Sequence, residues 1–375
     1  MRKFTISGTV LALSLSGFLA ACGGSPTSSA GGGDDGADKA QAAAQKVYDK
    51  FNGLSGEERK AELVKAAEKE GSLSIYTSNT DIDDLIAGFE DEYDIDVSVY
   101  RGNSESVLQR VLQEQKADFR GVDVVETNAL ELNVLNQEGF FYPYESELRE
   151  SVREEGRADG WTASRFNVFV VGWNTDKVKP GEEPTSVEDL ADPKWKGEVS
   201  MEVGDVDWFT TMYKYYEDQG KSEEEILDIF KRLAQNSKVA KGHTVQGELL
   251  SAGQFGAAVS LYSHTVDKAA DKGAPVAWKP ASGEPVEPLV IRPNGAGLMN
   301  NATNPAAATL FMDWELDEGQ DIFREAFRIG SIPTGSDPLE GLEVIPVPED
   351  ELLENPEKWD SLYAEVVQDG QELAE

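Results

Sequence analysis

The residues able to do chemistry in this chain sit in short polar runs that follow alternating apolar stretches. Thr77, Ser78 and Asn79 come after Leu73 and Ile75, which alternate with Ser74 and Tyr76 in the period of a β-strand. Hydroxyls and amides at a strand end can hold a small polar ligand, and Tyr76 would add an aromatic face. The arrangement recurs at Ser104, after Ile95, Val97 and Val99, and at Glu126, Thr127 and Asn128, after Val122, Val124 and Val125. In the second half, Asp205, Asp207 and Trp208 follow a short strand at 198–201, His243 stands beside Thr244, and Tyr262 precedes Ser263 and His264. Catalytic patterns are missing from the sequence. It has two histidines and one cysteine, without a His-Glu-x-x-His zinc pattern or a nucleophile elbow in the region after the leader. Ser263 and His264 are sequence neighbours, so they point to different sides of a strand or helix and make no dyad. Binding is therefore expected rather than catalysis, with no cofactor and no assigned metal ligand.

The elements that must position these groups read as βα units. Ile82, Leu85, Ile86 and Phe89 recur at helical spacing, with Thr80 and Asp83 spaced as a capping box, and Val107, Leu108, Val111 and Leu112 form a second helix capped at Ser104. Strand, polar loop and helix, twice over, imply a mostly parallel sheet, with ligands beyond the carboxyl ends of its strands. A strand through 161–174 is long enough to cross between lobes. Ser222 and Glu225 cap an amphipathic helix to residue 233, and strands are expected at 286–291 and 296–299.

Composition narrows the setting. At 375 residues the chain is long enough for two domains. Arg2 and Lys3 precede an apolar run that ends in Leu19-Ala20-Ala21-Cys22, which resembles the bacterial lipoprotein lipobox. Residues 1–21 are expected to be a signal peptide, Cys22 the lipidated residue, 22–38 a flexible tether and 39–70 leading helices. The formal net charge is −36. Such acidity excludes nucleic acid as a general partner, because phosphate binding relies on Lys and Arg. It fits a solvated surface or adaptation to salt.

Asp192-Pro193-Lys194-Trp195-Lys196-Gly197, Trp173-Asn174-Thr175, and the run from Pro305-Ala306-Ala307-Ala308 to Glu318-Gly319-Gln320 resemble extracellular solute-binding proteins of ABC importers. The likeness spans about residues 71–338 and is nearest to the ferric-ion-binding branch, which also holds binders of thiamine, polyamines, phosphonates and sugar phosphates. It implies an α/β, two-lobed, type II periplasmic-binding-protein fold. Lobe 1 would be 71–167 plus 288–337 and lobe 2 168–287, with an acidic tail at 338–375 packed on lobe 2. It also implies a monomer held at the outer face of the cell membrane, delivering a solute to a permease. The branch's metal ligands fall at Thr80, Asn128 and Ser263-His264, so its iron site is not in place. Glu126, Tyr76 and Tyr262 remain near the same loops as a different ligand set.

The resemblance places a helix N-terminus carrying Asp205 and Asp207 in the cleft. These carboxylates either face solvent or, with Trp208, Tyr262 and Tyr76, make an aromatic and acidic cleft for an organic cation. Trp208 and Tyr262 have core packing as their alternative. The expected ligand contacts are Tyr76, Thr77, Ser78, Asn79, Ser104, Glu126, Thr127, Asn128, Asp205, Asp207, Trp208, His243 and Tyr262.

Overall fold

The computed structural model describes residues 34–335, 337–368 and 372–373. The expected signal peptide and Cys22 lie outside the described residues. Residues 34–38, expected within the tether, begin helix α1 (Asp34–Asn52), which is followed by α2 (Gly56–Glu70). The Ala-rich sequence favours helix.

Lobe 1 continues with β1 (Ser72–Thr77), α3 (Ile82–Glu92), β2 (Asp96–Arg101), α4 (Ser104–Lys116), β3 (Val124–Asn128) and α5 (Ala129–Gln137). β1 pairs in parallel with both β2 and β3, as the βα spacing requires. After β4 (Phe141–Tyr142) and α6 (Glu147–Glu150), β5 (Thr162–Asn174) runs into lobe 2. There follow β6 (Val199–Glu202), α7 (Val206–Asp218), α8 (Glu223–Gln235), β7 (Ser237–Ala240), α9 (His243–Ser251), β8 (Ala257–Tyr262) and α10 (Ser263–Asp271). Past β9 (Val276–Ala277), β10 (Leu289–Met299) returns to lobe 1, which is completed by α11 (Pro305–Glu315), α12 (Gly319–Glu325) and β11 (Ile329–Gly330). The C-terminal part carries β12 (Val344–Pro346), α13 (Glu349–Glu354), α14 (Pro356–Gln368) and β13 (Glu372–Leu373).

One mixed sheet runs through both lobes, in the order β13-β7-β6-β8-β5-β10-β3-β1-β2. β5 and β10 are antiparallel at its centre, β10 joining β3 of lobe 1 and β5 joining β8 of lobe 2. The two strands expected at 286–291 and 296–299 are thus one. Pro293 and Gly295 lie between the two expected strands, and the chain stays extended through them with a register shift at Asn294/Gly295. A Cβ on Gly295 would lie 2.2 Å from the Thr162 carbonyl oxygen, so this close approach of the two backbones requires glycine.

Two apolar clusters fill the molecule. One gathers Ile75, Leu85, Phe89, Val124, Leu132 and Phe311, and the other Phe209, Phe230, Val259, Trp359 and Tyr363. Leu250 and Leu261 also belong to the first cluster. Trp359 and Tyr363 of α14 pack on Phe209 of α7, which lays the C-terminal helix against lobe 2. The caps differ in part from expectation. Ser222 and Glu225 do form a capping box. Asn103, not Ser104, caps α4 by accepting from the Ser106 amide at 2.8 Å. Asp81 is the N-cap position of α3, because the Thr80 hydroxyl is taken by Arg328 Nη2 at 3.0 Å.

Candidate ligand-binding site

The strand ends of lobe 1 and the helix starts of lobe 2 face one another across a cavity of about 280 Å³ floored by β5 and β10. Of the expected contacts, Ser78, Asn79, Ser104, Asn128, His243 and Tyr262 line it. Seven others do not. Tyr76 points away, its hydroxyl 2.9 Å from Glu114 Oε2 and its ring under the Arg110 guanidinium at 4.5 Å. Thr77 turns inward to Glu126 Oε2 at 2.5 Å, and Thr127 bonds Ser78 through their hydroxyls at 2.9 Å. Trp208 is core, edge-on to Phe230.

Three carboxylates expected at the cleft sit behind a basic partner. Glu126 is fully buried and ion-paired with Arg165. Asp207 pairs with Arg292 and also accepts from the Trp208 amide. Asp205 Oδ1 lies 2.8 Å from His243 Nε2. A fourth acid, Asp81, is held in the same way, by Arg328 Nε and Lys268 Nζ, both at 2.7 Å. Of the acidic and aromatic cleft expected for an organic cation, only Tyr262 lines this cavity, while Tyr76, Asp205, Asp207 and Trp208 lie outside its lining. The titratable basic side chains lining the cavity are Arg101, Arg165, Arg292, Arg328 and the two histidines, with no Asp or Glu in the lining. Of the alternative iron set, Tyr262 lines the cleft, whereas Glu126 is ion-paired with Arg165 and Tyr76 faces Glu114.

Ring contacts order the lobe 2 wall. His243 stacks on Tyr262 at 3.8 Å between centroids, with His264 on the far side at 5.4 Å. Burial pulls the His243 pKa down, but the charge of Asp205 and its hydrogen bond outweigh that and leave it raised. Burial also lowers His264, and the charges of Arg328, Lys268 and Arg165 push it further, well below the usual range. That imidazole is neutral because its surroundings are already cationic. Burial raises the Tyr262 phenol despite the opposing charge of Arg292, whose Nη2 donates to the Tyr262 hydroxyl at 2.5 Å. Among the described residues, no three of His, Cys, Asp and Glu converge as a metal site.

Residues 131–362 match the family described as bacterial extracellular solute-binding protein, well over half of the chain. The chain belongs to that family. A curated relative, iron uptake protein A1 of Synechocystis sp., is 33% identical over 150 residues, covering 38% of this chain and 41% of that protein. The match thus spans about two fifths of that relative's length. Iron-bound HitA from Pseudomonas aeruginosa superposes with a TM-score of 0.66 at 18% identity, over 79% of this chain and 99% of that one. AfuA from Actinobacillus pleuropneumoniae, solved with fructose-6-phosphate, gives 0.65 at 20% identity, over 80% and 99%. At these identities the structures establish the fold, a type II periplasmic-binding-protein architecture as the motifs implied, and leave the solute open.

Sequence reasoning passed over the floor of the cleft. Arg165 and Asn167 on β5, and Arg292 and Asn294 on β10, all line the cavity. A signal was present: in each strand an Arg and an Asn stand two apart beside an apolar run, the spacing that puts them on one face. Arg328, beyond α12, carried no such signal, because only the tertiary fold brings it to Thr80 and Asn167.

Proposed function

We propose that this extracellular solute-binding protein captures a small anionic solute between its lobes and delivers it to the permease of an ABC importer, tethered to the membrane through lipidated Cys22. The observation that carries this is the sign of the cleft. Its lining guanidiniums are fixed from behind by carboxylates that do not reach the cavity, so their remaining N–H donors face the ligand. Arg101 makes no ion pair among the described residues and adds net positive charge. A phosphate ester or carboxylate would neutralise the wall on both lobes, and closure would remove it from water.

The iron proteins among the relatives, with Tyr262 and two imidazoles in the lining, favour a second reading, a ferric ion carried as an anionic chelate. Thermal denaturation of the protein with phosphate esters, carboxylates, ferric citrate, thiamine and spermidine tests both. A ligand at a hundred times its Kd adds about 2.7 kcal/mol of stability. Stabilisation by thiamine or spermidine, with none from any anion, refutes the anionic reading. Stabilisation by ferric citrate but not by citrate selects the chelate. Replacing Cys22 by Ser should release the protein from the membrane fraction.

A further inference from the structure

The floor of the cleft contains one tripeptide pattern twice. Arg165-x-Asn167 on β5 runs antiparallel to Arg292-x-Asn294 on β10, in a register that sets Arg165 opposite Asn294 and Arg292 opposite Asn167. Residues two apart on a strand share a face, so these four side chains form a square with arginines at opposite corners. With strand neighbours about 5 Å apart and a repeat of about 6.7 Å, the diagonal between the arginine Cα atoms is about 8 Å. All four residues are at least nine-tenths buried. Arg165 Nε and Arg292 Nε are buried donors without a hydrogen-bond partner. Polar groups of this kind are rarely left unmatched, so their place in a cavity wall points to a ligand.

The two arginines are also held by different lobes. Arg165 is pinned by Glu126 on β3 of lobe 1, whereas Arg292 is pinned by Asp207 at the start of α7 in lobe 2. We propose that the solute is a dianion, with one anionic oxygen on Arg165, a second on Arg292, and the two asparagine amides between them. This rests on the anionic reading of the cleft and narrows it. A monoanion satisfies one corner and leaves the other lobe's arginine unmatched. A dianion engages both and so favours the closed arrangement of the lobes. A phosphate monoester and a dicarboxylate both meet the requirement.

The test uses matched skeletons with the protein at pH 8, by calorimetry: methyl phosphate against dimethyl phosphate, and succinate against its monomethyl ester. The expected result is that at least one dianion binds about tenfold or more tighter than its monoanionic partner, and the pair that does so distinguishes phosphate from carboxylate. The combined replacement Arg165→Gln with Glu126→Gln, which removes the charges together, and the separate replacement Asn294→Ala, which removes none, should each reduce that preference about tenfold. Equal binding of dianion and monoanion, or a preference unchanged in both variants, overturns the dianion proposal and leaves the anionic reading standing. Absence of binding by either dianion at about 10 mM overturns it as well. Binding of spermidine or thiamine, with no anion bound, overturns both.

Discussion

Replacing Asp81 by Asn tests whether the cleft mouth is held by charge. Asp81 Oδ2 accepts from Lys268 Nζ on α10 and from Arg328 Nε, each at 2.7 Å, and Asp81 and Lys268 line a second cavity beside α9 and α10. The Asp81 and Lys268 side chains are 19% and 28% exposed, between a surface pair worth 0.2–1 and a charged hydrogen bond worth about 1.5–3 kcal/mol. About 1–2 kcal/mol of coupling between them is expected. Asp81→Asn alone should cost more, about 2–4 kcal/mol, because Arg328 is 5% exposed and would keep only neutral acceptors in Thr80 and Asn167. Asp81→Asn, Lys268→Met and the double variant, compared by urea denaturation, give the coupling as the departure from additivity. Additivity within about 0.3–0.5 kcal/mol would refute the argument. The pH dependence supplies a second check. Burial raises the Asp81 pKa, but the charges of Arg328 and Lys268 outweigh it and leave it lowered. A depressed carboxylate contributes stability above its unfolded value of about 3.9, lost as pH falls through the folded value. The Asn variant should lack that acid-side loss.

Trp359→Ala should cost about 3–5 kcal/mol, since the indole is fully buried against Tyr213 and Phe209, and should lower Tm by roughly 4–7 °C without changing which solutes bind. His243 has a raised pKa in the folded state, so its pairing with Asp205 contributes fully below about pH 6.5 and is lost as pH rises through the folded value; His243→Phe should flatten that slope in a Tm series. Burial first, then the charge of Asp207, pushes the Glu349 carboxyl up to about 8, so the folded protein holds a proton there that the unfolded chain releases. Stability should therefore fall as pH rises toward 8, and Glu349→Gln should remove that fall in the same series.

The sequence made the βα framework legible because its signals are local. Alternation at Leu73 and Ile75, helical spacing from Ile82 to Phe89 and the Ser222–Glu225 cap each lie within a few residues, and each appears as an element. The site was half legible for a physical reason. Loops at strand ends, which local pattern locates, supply Ser78, Asn79, Asn128 and His243 to the cavity lining. Which way a side chain turns within such a loop depends on partners far along the chain. Thr77 and Glu126, 49 residues apart, satisfy each other and so leave the cleft. Asp207 is drawn to Arg292, 85 residues away, which reverses the sign inferred from its sequence neighbours.

That reversal bears on how the proposed anionic solute would reach the cleft. A formal charge of −36 repels an anion at long range, whereas the lining arginines attract it only at contact. The two effects differ in reach. At a physiological ionic strength the Debye length is about 8 Å, so surface repulsion beyond the cleft is largely screened, while buried guanidiniums a few ångströms from the ligand are screened much less. Moderate salt should therefore speed association of a dianion, opposite to the slowing seen when an oppositely charged surface steers its ligand. Stopped-flow association rates measured with rising sodium chloride distinguish the cases. A rate that falls from the lowest salt onward would mean that attraction dominates outside the cleft as well, and the division between a repelling surface and an attracting floor would be wrong.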